Sequence, residues 1–217
     1  MDWGGRWAMR TDLLTLVQWL SPAFPTGSYA YSHGLETVIF EGERSAAGIG
    51  GLIKGVLRHG SGQADAVLLA CVLRGGDPGE IDAVARAMAG TKERLSETLE
   101  QGAAFARTVS ALTGRDLPPR ALPVAVGEAA QVMALPAEDV IAVYLHAFSA
   151  NLVACATRFA PLGQTEGQAM LAALHPVISG LADWAASAGL EDIGTSAMAA
   201  EMAAMRHETL NVRIFKT

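Results

Sequence analysis

From Val140 to Thr157 the chain runs eighteen residues without a formal charge. A run of that length has two destinations, a membrane-spanning helix or the central helix of a bundle wide enough to wrap it. His146, Ser149, Asn151 and Thr157 lie inside it, and Asp139 and Arg158 close on its ends. Asparagine and histidine are costly in hydrocarbon, and no aromatic belt flanks the run. It is expected as a buried core helix with His146 a satisfied core histidine; membrane association is the alternative. With 217 residues the chain can bury such a helix without a metal or disulfide staple.

The rest of the sequence carries the same helical period. Leu13, Leu16, Val17 and Leu20 fall on one face, with Thr11 placed to cap them. Ile49, Leu52, Ile53, Val56 and Leu57 repeat the pattern. Asp77, Pro78 and Glu80 form a helix start, with a cap, a first-turn proline and a capping box. Gly114 ends a long helical stretch that begins with Thr91. Thr165 to Gln168 reads as another capping box, and Pro176 is expected to kink or interrupt the helix that follows. Residues 212–215 could be extended, but no second strand offers a partner. The expectation is an all-α protein, a single-domain helical bundle of about nine or ten helices. It spans 1–217, with 1–10 as an N-terminal extension and 209–217 as a flexible tail.

Composition excludes several functions. Net charge is −6 and lysine and arginine do not cluster, which argues against nucleic acid. Cys71 and Cys155 each sit in an apolar helical stretch and read as buried reduced thiols. The first ten residues lack the apolar stretch of a secretory signal, so a cytoplasmic location is expected. "GIGGLIKG" at 48–55 matches neither phosphate-binding glycine pattern and follows no strand. The five histidines are scattered, with no HExxH and no cysteine pair. His33 and Glu36 would share a helix face, which leaves a small helical metal-dependent enzyme as the alternative from another class. There is no GxSxG elbow, and neither cysteine has the electropositive setting that activates a thiol. The expectation is a non-enzyme with no catalytic, cofactor or metal residues. Hydrophobic residues nevertheless make up 51% of the chain, with a mean hydropathy of +0.27. That surplus needs a large core or surfaces that other subunits cover.

Two segments stand apart. In "SPAFPTGSYAYSHGLE", Pro22 and Pro25 fix φ and remove donors, Gly27 permits a turn closed to other residues, and Tyr29 and Tyr31 offer interfacial rings. From Met205 onward, Arg206, Arg213 and Lys216 alternate with Leu210, Val212, Ile214 and Phe215.

At these segments the sequence resembles the UreF family of urease accessory proteins. Ser21, Pro22, Pro25, Gly27, Tyr31, Ser32, Gly34, Leu35 and Glu36 fit the family signature, and "ETLEQG", "LHAFSANLV", "PLGQTEGQ" and "MRHETLNVRIFKT" follow in order. Ser28, Tyr29 and Lys216 depart from it, the last replacing an arginine and its planar fork. The resemblance implies an all-helical, homodimeric, non-catalytic adaptor. It would bridge UreD/UreH and the GTPase UreG, govern the GTPase cycle and help load nickel onto a carbamylated lysine of apo-urease. No cofactor would be bound tightly, and nickel would be handled in transit. Pro22, Pro25, Gly27, Tyr31, Ser32, Gly34 and Glu36 are then expected to dock the GTPase or line a metal path. Arg206, His207, Glu208, Arg213, Phe215 and Lys216 would be ordered by UreD/UreH.

Overall fold

Several helix boundaries are fixed by one side chain or one glycine. The computed structural model describes residues 3–194, 196–210 and 213–216. Among them are ten α-helices and no strand. In chain order these are α1 (Trp3–Trp19), α2 (Leu35–Phe40), α3 (Ala46–His59), α4 (Ser61–Leu73) and α5 (Pro78–Ala87). There follow α6 (Lys92–Thr113), α7 (Leu122–Ala130), α8 (Ala137–Phe159), α9 (Gln164–Ala185) and α10 (Met198–His207). The all-α bundle expected from the periodicity is the fold.

The caps follow local chemistry. Asp77 Oδ1 accepts from the Glu80 amide at 2.8 Å and starts α5, and Thr91 Oγ1 accepts from the Arg94 amide at 3.0 Å and starts α6. Gly114, at φ 72°, ends α6 as expected. Two starts differ from expectation. α1 begins at Trp3, so Thr11 lies mid-helix and its hydroxyl donates to the Trp7 carbonyl at 3.0 Å instead of capping. α9 begins at Gln164, where Glu166 Oε2 accepts from the Gly163 amide at 3.1 Å, two residues before the expected box. It runs unbroken through Pro176; the carbonyl that the proline leaves without a donor belongs to Ala172, and both residues are exposed. "GIGGLIKG" lies inside α3, where Gly50 lets Met170 of α9 come close.

The uncharged run lies within α8, and the bundle wraps it. α9 lies along it, and α2, α3 and α4 pack against it. Ile141, Tyr144, Leu145, Leu152 and Cys155 point into the interior. By length and composition α8 is, among the described residues, the one helix long and apolar enough to cross a membrane. His146 is not a core histidine: it is exposed and faces His175 of α9. The α1 face is also corrected. Leu16 and Trp19 are buried, whereas Leu13 and Val17 join Trp7 and Leu14 on an exposed side. Trp19 meets Phe105 of α6 edge-on, with ring centres 5.9 Å apart, and Phe24 approaches the same ring at 5.7 Å. Such pairs add about 1 kcal/mol each beyond area burial. They pin α1 and the start of the loop that follows it to α6.

Candidate functional site

The loop between α1 and α2 is tied down by a buried ring and by side chains of α8. Phe24 is its buried anchor, while Pro22 and Pro25 are exposed on either side. Gly27 adopts φ 77°, the left-handed region that favours glycine, and a 3-10 turn over Ser28–Ala30 follows. That turn leaves Tyr29 63% exposed and brings Tyr31 inside at 3%. The polar residues of α8 hold the loop's carbonyls. Asn151 Nδ2 donates to the Tyr31 oxygen at 3.1 Å, and Arg158 Nη1 donates to the Tyr29 oxygen at 3.3 Å. Asparagine thus sits in the uncharged run of α8 because a loop carbonyl needs a donor there. His33 then takes φ 54° and Gly34 φ 77°, and α2 begins. A Cβ at Gly34 would lie 2.7 Å from the Ala204 amide nitrogen, so only glycine lets α10 approach.

Residues 206–210 and 213–216 close onto this loop. Glu36, 6% exposed, accepts from His207 Nε2 at 3.0 Å, from the Ile214 amide at 2.9 Å and from the Phe215 amide at 3.0 Å. Burial opposes its ionisation, but those three donors outweigh it and hold the carboxyl below its ordinary range. The other imidazole nitrogen of His207 faces Glu93 Oε2 at 2.9 Å, and Arg213 Nη1 donates to Glu93 Oε1 at 2.8 Å. Phe215 is buried against Phe159 of α8, ring centres 4.8 Å apart. The Lys216 amide donates to the Ala30 carbonyl at 2.7 Å. Its ammonium and the Tyr31 hydroxyl both donate to Glu100 Oε2 at 2.7 Å. With Lys216, then Tyr31 and Ser96, donating to it, the Glu100 carboxyl falls to about 2, while burial and then Glu100 push Tyr31 up. Outside this cluster Arg206 forks onto Glu41 at 2.8 and 3.0 Å, and Glu208 caps α6 by accepting from the Lys92 amide at 3.0 Å.

Beneath the loop lies a buried polar network that the sequence reading missed. His33 Nε2 and Glu97 Oε1 are 2.9 Å apart, and Gln101 donates to the same oxygen at 3.0 Å. Arg94 reaches Glu97 at 3.2 Å and both oxygens of Asp65 at 2.7 Å, and Tyr144 donates to Asp65 at 2.7 Å. Burial raises the Glu97 carboxyl, but the charges of His33 and Arg94 reverse this and bring it to about 2. Two hollows meet at His33 and Glu97, one beside α10 and one beneath Tyr29. The signal was present: Arg94, Glu97 and Gln101 share one face of α6 with Phe105 and Val109, so that face starts polar and ends apolar. His33 and Glu36 do not share a face, since one turns to Glu97 and the other to His207. Among the described residues, no three metal-ligating side chains converge.

A sequence model of the UreF family matches residues 44–175. A protein from Cereibacter sphaeroides, described as urease accessory protein UreF, is 62% identical over 210 residues, covering 96% of this chain and 100% of the relative. Proteins so described from Roseobacter denitrificans and Paracoccus denitrificans are 50% and 49% identical, covering 96% and 94% of this chain and 96% and 95% of their own lengths. The chain belongs to the UreF family of urease accessory proteins. In this UreF family member the two segments expected to serve different partners form one unit. Tyr31, Ser32, Gly34, Glu36, His207 and Phe215 are its buried joint. Pro22, Pro25, Arg206, Glu208, Arg213 and Lys216 are its exposed rim, to which Tyr29 and Ile214 must be added; Gly27 is half-buried at the turn. Val212 and Asn211 lie outside the described residues.

Proposed function

We propose that the chain is the adaptor of urease maturation, a cytoplasmic homodimer that bridges UreD/UreH and the GTPase UreG. In this role it regulates the GTPase cycle while nickel, the cargo, is inserted into apo-urease. The description of its relatives as urease accessory proteins supports the setting. The observation that carries the bridging role is the joint at Glu36, which clamps the α1–α2 loop and residues 214–216 into one body. A partner on the loop and a partner on the C-terminal residues then read a single rigid surface. Tyr29 and Ile214 present exposed apolar side chains at that joint, and α10 carries the outward Met198, Met202 and Met205. The exposed side of α1, with Trp7, Leu14 and Val17, supports self-association.

The test uses two exposed side chains, so that folding is not at issue. Tyr29→Ala and Ile214→Glu proteins are mixed with UreD/UreH and UreG and resolved by gel filtration. The first is expected to keep UreD/UreH and lose UreG, and the second to lose UreD/UreH. Elution of the complete complex with both variants would overturn the assignment.

A further inference from the structure

Of the histidines, His33 and His207 are committed to carboxylates. His146 and His175 are not. They stand on α8 and α9, two helices packed along their lengths, and both are exposed. Their ring centres are 5.5 Å apart with 43° between planes. Neither ring makes a hydrogen bond or ion pair with another described residue; each ring has the other as its neighbour. Two imidazoles facing one another are mutually unfavourable when charged, and each neutral ring keeps one nitrogen lone pair for a ligand.

The spacing has a chemical match. A metal ion about 2.0–2.1 Å from one nitrogen of each ring, at a tetrahedral angle, sets ring centres roughly 5 Å apart. The 5.5 Å separation of the two rings therefore matches one ion shared between helices already held in place by the core. Imidazole nitrogens select borderline metals such as nickel, zinc and copper over magnesium or calcium. We propose that His146 and His175 form a two-imidazole surface site for one divalent transition-metal ion, with water completing its coordination. Two ligands and an open shell make a site that exchanges its ion readily, unlike the closed four-ligand site of a structural metal. This site is independent of the partner surface at Glu36 and of the buried network at Glu97.

The experiment is titration calorimetry of the untagged full chain with nickel and, separately, zinc and magnesium chlorides. One nickel or zinc ion per chain is expected, and no heat from magnesium. His146→Gln and His175→Gln should each weaken binding about 10-fold or more, the least that loss of a direct ligand should cost when outer-shell partners already command that much. His59→Gln, which removes another exposed histidine, should leave binding unchanged. Because both rings are exposed, the variants should melt with the parent in the absence of metal. Nickel should then raise the melting temperature of the parent and not of the variants. Absence of saturable binding, retention of full affinity in either ring variant, or its loss in His59→Gln would overturn the proposal.

Discussion

Glu36 holds three donors with two oxygens, and its removal would strand all of them. In Glu36→Ala, His207 faces Glu93 alone and the Ile214 and Phe215 amides lose their acceptor. Leaving a buried imidazole and two buried amides without their shared acceptor costs about 3 kcal/mol or more. Glu36→Gln keeps an oxygen for the amides and should cost roughly half as much. Urea denaturation of the two variants against the parent measures the difference, and equal midpoints for all three would refute the joint. Gly34 works at the same scale, since its positive φ and the approach of Ala204 each exclude a side chain.

Among the elements, α6 carries the charge that the fold must keep. Glu97 titrates in the folded chain at about 2, against an ordinary 4.5. Its folded value is depressed, so its contribution is complete above the ordinary value and is lost as pH falls through the window down to about 2. Urea midpoints should therefore decline across that window, and Glu97→Gln should flatten the decline while lowering the neutral-pH midpoint. A parallel acid slope in the variant would place the titration elsewhere. Elements were legible where their causes are local. Asp77 and Gly114 act within three or four residues of themselves, so their helix ends could be read in advance. Thr11 and Thr165 misled because a hydroxyl looks the same at a cap and inside a helix that starts earlier. The face of α1 misled for another reason: the helix is apolar on two sides, and periodicity cannot say which one meets Phe105. The candidate site was legible only as two motifs. Nothing near Glu36 in sequence shows that its partners lie 171 to 179 positions away.

For the whole molecule, the apolar surplus divides between the α8 core and the exposed sides of α1 and α10. Light scattering coupled to gel filtration should report a dimer for the parent chain and a monomer for Leu14→Glu combined with Val17→Glu, with unchanged helicity. A parent that is monomeric at tens of micromolar, or a variant that stays dimeric, would remove α1 as the contact. The clamp at Glu36 also orders events in time. The Ala30 carbonyl and the Glu36 carboxylate receive donors from residues 214–216, made some 180 positions later on the ribosome. Until that stretch emerges, the nascent loop lacks its closing bonds, and a polypeptide cut short by stalled translation offers any would-be partner an unfinished surface.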